Sequence, residues 1–204
     1  MGCVKDQSSN KESFAIRIYG ERPITELFAL VASEKDLFEL IGQIQLEEGE
    51  IDRSGERIEK VFVEAPLGKS FGYADLVIMT SSHCYIFEIK PDKMEKVKER
   101  LYEQIPRYCQ CIESATTRSS AGLVSEFYES KREKGHPYMI VITGDDEKPR
   151  EFDTMYQPDQ KISESGWNPR HYMGWGPYNA IRKLLLNNGF KIVGDSPHIW
   201  AERV

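Results

Sequence analysis

The chain has 204 residues, 40% hydrophobic and 29% charged, which suits a single globular domain able to bury a substantial core. A net charge of −6 and a pI of about 5.4 exclude indiscriminate nucleic-acid binding through bulk charge, although a metal-bearing site needs no basic surface because its cations supply the positive charge. No apolar stretch is long enough to span a bilayer and no secretory signal is visible, so an intracellular protein without a membrane partner is expected.

Cys3, Cys84, Cys109 and Cys111 make neither a disulfide framework nor a paired CxxC, in keeping with a reducing compartment. Met1-Gly2-Cys3 invites an acylation reading, but Asp6 stands where that motif needs Ser or Thr. Residues 14–19 read as a short strand closed by Gly20, and residues 24–32 as a short helix, together an N-terminal extension over residues 1–32. Ser33, with Asp36 three positions on, predicts a capped helix running to about Glu48, its apolar stripe made by Leu37, Ile41 and Ile44. Residues 49–55 are rich in turn formers, and residues 58–65 form a strand near whose end Glu64 is a spare metal or structural carboxylate, the structural role being preferred. Gly68-Lys69-Ser70 is not a P-loop, because Val63 stands where that motif needs its first Gly and a strand follows where a helix should.

Two apolar runs, residues 74–79 and 84–89, flank Thr80-Ser81-Ser82-His83 and predict a β-hairpin. Folding it about Ser81 and Ser82 sets Asp75 opposite Glu88. Like charges facing across adjacent strands destabilise a sheet, and a divalent cation accepting hard oxygen ligands from both would remove the conflict. Lys90 leaves the same strand face as Glu88, where an ammonium can orient an attacking water and stabilise charge on a phosphorane-like transition state. Pro91 stops the strand, and Asp92 is the expected N-cap of the next helix, with Glu95 at N3. That helix carries Met94, Val97, Leu101, Ile105, Tyr108 and Ile112 at spacings of three and four, with Gln104 one turn ahead of Tyr108. Pro106 inside it should produce a kink.

Residues 114–120 are a polar loop and residues 122–134 a helix. Residues 137–143 form a continuous apolar run typical of a buried parallel strand. Residues 144–172 show little periodicity and hold Asp145, Asp146, Trp167, Arg170, His171 and Tyr172, with Trp167 and Trp175 expected in the core. Pro177 suits position N1 of a helix that ends at Asn187-Asn188-Gly189. Residues 190–193 and 198–203 make a closing hairpin, so residues 144–204 read as a loop, helix and hairpin packed on the same domain.

Asp75, then a short turn, Glu88-x-Lys90 on the next strand and Gln104-x-x-x-Tyr108 on the following helix, with Gly72 ahead of them, resemble the PD-(D/E)XK nuclease superfamily, most closely its RecB-like and NucS-like branches. The resemblance covers roughly residues 33–143. It implies an α/β fold with a restriction-endonuclease-like αβββαβ core, a mixed central sheet flanked by helices. It also implies a DNA nuclease using Mg²⁺ or Mn²⁺ held by Asp75, Glu88, the Ile89 carbonyl and, through water, an upstream glutamate. Glu34 and Glu48 extend the helix stripe whereas Glu39 points away, and the Ser-Glu-x-Asp-Leu start favours Glu34. Lys90 would position the hydroxide, Gln104 and Tyr108 would brace the site and contact phosphate, and Lys69, Lys93 and Arg107 would contact DNA. Some RecB-like nucleases carry an iron–sulfur cluster on one early and three late cysteines; the late trio is missing here, so no cluster is expected. A homodimer or a partner protein that directs specificity is compatible with the pattern. The competing reading is a non-catalytic DNA-binding or assembly module that keeps the fold, against which the intact Asp75, Glu88 and Lys90 argue.

Overall fold

Runs of β-branched and aromatic residues on both sides of Ser81 and Ser82 build the centre of a six-stranded mixed sheet. The computed structural model describes residues 17–47, 49–68, 71–116, 136–150, 152, 172–194 and 198–204. Strand β3 (Ile58–Gly68) pairs antiparallel with β4 (Gly72–Thr80), and β4 with β5 (His83–Ile89). Strand β6 (His136–Thr143) runs parallel to β5, and β7 (Met173–Pro177) runs parallel to β6. The two-residue β2 (Gln45–Leu46) closes the far edge antiparallel to β7, giving the order β2-β7-β6-β5-β4-β3. A separate three-stranded sheet joins β1 (Arg17–Tyr19) to the closing hairpin of β8 (Phe190–Val193) and β9 (Trp200–Arg203).

Period-2 alternation in β4 and β5 sends side chains to two cores. One face, with Val77, Met79, Cys84 and Ile86, shares a buried cluster with Met94, Val97, Leu101, Ile105 and Tyr108 of helix α3 (Met94–Thr116). Burying each large apolar side chain of such a stripe contributes roughly 1.5–3 kcal/mol. The other face, with Leu76, Ile78, Tyr85 and Phe87, packs with α1 (Glu21–Val31), α2 (Glu34–Gly42) and α4 (Tyr178–Asn187). Helix α1, placed in the N-terminal extension, thus supplies Ile24, Leu27 and Phe28 to the main core.

Several boundaries differ from expectation. Helix α2 has the predicted capping box of Ser33 and Asp36 but stops at Gly42, because the chain turns at Gln43 and gives residues 45–46 to the edge of β7. Strand β3 runs on through Pro66 to Gly68, which an edge strand tolerates. Helix α3 contains Pro106 within its span, as expected. Asp92 does not cap it: the Met94 N–H donates to Asp145 Oδ2 at 2.7 Å, while the Asp92 carboxylate lies 3.8 Å from Lys96 Nζ. Pro177 is the N-cap of α4 and not its first helical residue. Strand β7 was not expected from its Gly-rich sequence. It forms because Gly174 lets Ile44 and Ile140 approach to where a Cβ would lie 2.7 and 3.0 Å from their side chains. Trp175 is fully buried as expected, its Nε1 donating to Thr143 Oγ1 at 2.9 Å. The helix predicted at 122–134, together with Trp167, Arg170 and His171, lies outside the described residues, as does Lys69.

Candidate active site

The β4–β5 ladder runs from Met79↔Cys84 to Leu76↔Phe87, the register expected from a turn at Ser81 and Ser82. One residue beyond its end, a side chain takes over from the backbone: Asp75 Oδ2 accepts the Ile89 N–H at 2.7 Å. Within a strand the N–H and C=O of one residue leave toward the same neighbour, so the Ile89 carbonyl also leaves toward Asp75.

Glu88 is 1% exposed, one of five buried polar residues among those described. Its two oxygens are divided between two donors. Tyr108 Oη, one helix away, lies 2.5 Å from Glu88 Oε2 and 2.8 Å from the Tyr73 carbonyl, so the α3 hydroxyl ties β5 to β4. Lys90 Nζ lies 2.5 Å from Glu88 Oε1 and 3.7 Å from Asp75 Oδ2. One ammonium reaching both carboxylates puts Asp75 and Glu88 on the same side of the sheet. Gln104, a turn earlier on α3, is half-buried, and its buried Oε1 has no hydrogen-bond partner among the described residues.

The electrostatics follow from that packing. Burial, then the neighbouring Glu88, raises the Asp75 carboxyl to about 6, with Lys90 and the Ile89 N–H partly offsetting the rise. Burial alone would lower the Lys90 ammonium, but Glu88 and then Asp75 outweigh it and hold Lys90 above the ordinary lysine value. Lys90 is therefore a cation and a donor, not a base. Burial followed by Glu88 pushes the Tyr108 phenol far upward, which keeps it a hydrogen-bond donor.

Glu34 is not part of this site. Its Oε1 accepts the Ile58 N–H at 2.9 Å, and Ile58 pairs with Thr80 at the opposite end of β4. Thr80 lies five residue steps along β4 from Asp75, roughly 17 Å. Glu39 is exposed on the same helix, and Glu48 lies outside the described residues. The acids whose charge reaches the site are Glu64 and Glu21. Glu64 lies across β3 from Asp75, between the pairs Val63↔Leu76 and Ala65↔Ala74, and adds to the rise at Asp75. It is the one described non-glycine residue in the left-handed region, at φ 50°, and its Oε1 sits 3.6 Å from Arg22 Nε. Glu21, the first residue of α1, adds its field to Lys90. Glu64 stands out in the sequence as a spare metal or structural carboxylate; no periodic signal marks Glu21.

Asp75, Glu88 and the Ile89 carbonyl are hard oxygen donors of the kind Mg²⁺ or Mn²⁺ takes, with water completing the shell. Among the described residues no group of three or more His, Cys, Asp or Glu side chains is arranged to hold a metal, so protein ligation would rest on two carboxylates and one carbonyl. Lys93 and Arg107 are both exposed, Lys93 in the turn that follows Lys90 and Arg107 beside Tyr108. No helix among the described residues is long and apolar enough to cross a membrane. No protein-family profile, curated protein or solved structure matches this chain.

Proposed function

We propose that this chain is a metal-dependent DNA nuclease of the PD-(D/E)XK type. The observation that carries the reading is the convergence of Asp75, Glu88 and Lys90 at one end of β4 and β5, on strands whose apolar sequence gives no structural reason for one buried and one half-buried carboxylate side by side. The element order supports it too: among the described residues, a helix, three antiparallel strands, a helix and a strand parallel to the third run from α2 to β6, with the short β2 between α2 and β3. This order is in keeping with the restriction-endonuclease-like arrangement that the sequence resemblance implies.

In this reading Asp75, Glu88 and the Ile89 carbonyl hold the cation, which supplies Lewis-acid activation of water and neutralises phosphate charge. The Lys90 ammonium orients the nucleophile and stabilises developing charge from a position fixed by Glu88. Tyr108 holds Glu88 in one rotamer, and Gln104, with its unpartnered Oε1, has a polar group left to offer. Lys93 and Arg107 meet the DNA backbone. The buried thiols of Cys84, Cys109 and Cys111, which form no disulfide among the described residues, are in keeping with an intracellular setting.

The second reading, a DNA-binding or assembly module without chemistry, draws on one observation: Lys90 already neutralises both carboxylates, as a structural ion pair would. A cleavage panel of labelled single-stranded, duplex, branched and mismatched DNA with Mg²⁺, Mn²⁺ or EDTA separates the two. Cleavage that needs metal and is lost in Glu88→Gln supports the nuclease. DNA binding with no cleavage of any substrate in either metal supports the module.

A further inference from the structure

The parallel strands β5, β6 and β7 end together, and the chain leaves β5 into α3 on one sheet face but leaves β7 into α4 on the other. Open α/β sheets bind ligands in the crevice outside the carboxyl ends of their strands. Such a crevice is present here as a cavity of about 330 Å³ starting at Pro91, the residue after Lys90. Its cationic lining is Lys93, Lys96 and Arg182.

Gly144 shapes the floor. A Cβ there would lie 2.2 Å from the Pro91 carbonyl oxygen, and the Gly144 N–H donates to the Asp92 carbonyl at 2.8 Å, locking the end of β6 under the turn that carries Lys93. Arg182 is set by the Gly194 carbonyl, 3.2 Å from its Nη2, and lies over the Tyr178 ring. Tyr178 and Asn179, the first two residues of α4, also line the cavity; no side chain caps that helix and no acid lies in its first turn. Its leading N–H groups therefore add positive potential to that of the three side chains. Two carboxylates oppose them. Asp92 is paired with Lys96 at 3.8 Å, and Asp146 lies exposed at the rim.

We propose that this cavity is a phosphate-binding pocket that takes a phosphate group of a nucleic-acid strand or of a free nucleotide beside Lys90. A phosphate offers several anionic oxygens to cations approaching from different sides, which a carboxylate does not. That the bound phosphate belongs to a substrate strand rests on the nuclease reading; that the pocket binds phosphate does not.

The test uses the full chain in EDTA, so that no cation bridges ligand and carboxylates. Inorganic phosphate, a deoxynucleoside 5′-monophosphate and a short deoxyoligonucleotide are titrated by calorimetry into the parent, Lys93→Gln/Lys96→Gln, Asp146→Asn and Glu88→Gln proteins. Saturable phosphate binding is expected in the parent and in Glu88→Gln, about tenfold weaker in the double lysine variant and tighter in Asp146→Asn. An oligonucleotide that displaces phosphate identifies a strand as the source; a monophosphate that displaces it where the oligonucleotide does not identifies a free nucleotide. Absence of saturable phosphate binding, or equal binding by the parent and a normally folded double lysine variant, overturns the pocket. If phosphate binding follows the lysines while the DNA panel shows no cleavage, the pocket stands and the nuclease reading falls.

Discussion

Asp75→Asn should make the metal-free protein more stable at pH 8 and leave its stability unchanged near pH 3. The carboxyl titrates at about 6 in the folded chain against 3.8 for the ordinary group, so the folded state holds this proton more tightly than the unfolded state. Stability from this group is thus complete below about pH 4, falls as the pH rises from about 4 to 6, and stays reduced above that. Roughly two pH units at about 1.4 kcal/mol each set a ceiling of about 3 kcal/mol. The Asp75 side chain is 25% exposed, and solvent screening trims the expected gain to about 1–2 kcal/mol. An asparagine oxygen can still accept the Ile89 N–H, so the backbone tie survives. For a chain of this size the gain is an increase of about 2–8 °C in Tm. Thermal unfolding followed by circular dichroism between pH 3 and 8, in EDTA and in Mg²⁺, measures it. In Mg²⁺ the order should reverse at pH 8, because the cation stabilises the parent and not the variant. A variant less stable than the parent at pH 8 in EDTA, or one whose gain is the same at pH 3 and pH 8, would refute the electrostatic account of the site.

Lys90→Ala leaves the buried Glu88 and the half-buried Asp75 without their shared counter-charge, so it should cost about 2–4 kcal/mol in EDTA, with Mg²⁺ restoring much of the loss, and should lower single-turnover cleavage by about 10²–10³. Denaturant melts with and without metal, beside a cleavage time course, check both halves. Tyr108→Phe removes the hydroxyl between Glu88 and the Tyr73 carbonyl and should cost about 1–2 kcal/mol, with metal affinity reduced less than in Asp75→Ala; calorimetric Mn²⁺ titration compares the two. Gly144→Ala forces a methyl against the Pro91 carbonyl and should cost about 1–3 kcal/mol, seen as a lower urea midpoint at unchanged slope.

Short-range patterns carried most of the fold. The hairpin about Ser81 and Ser82, the stripe of α3, the parallel β6 and the closing hairpin all follow from apolar periodicity and turn chemistry within a few residues of one another. Where distant residues decide, local signals failed. Asp92 looks like the cap of α3, but Asp145 takes that place from the end of β6, because Thr143 Oγ1 donates to its Oδ2 at 2.7 Å and aims it at the Met94 N–H. Likewise β7 exists because Gly174 admits Ile44 and Ile140, which no composition rule for strands would reveal.

The acidic residue expected ahead of the hairpin shows why the phase of a helix is not enough to assign a ligand. A stripe tells which side of α2 meets the sheet, and Glu34 does face it, but the stripe says nothing of where along a strand that helix lands. Glu34 lands at the Thr80 end and accepts the Ile58 N–H, a structural tie at the start of β3. Strand register carries the missing coordinate. The same pairing that opposes Ile58 to Thr80 brings Glu64 level with Asp75, and the left-handed backbone at Glu64 breaks the regular alternation of β3 at that level. Arg22 then holds the Glu64 carboxylate from α1, the helix whose first residue, Glu21, lies in the field of Lys90. The carboxylates around Lys90 therefore come from β3, β4, β5 and the start of α1, and α2 contributes none of them.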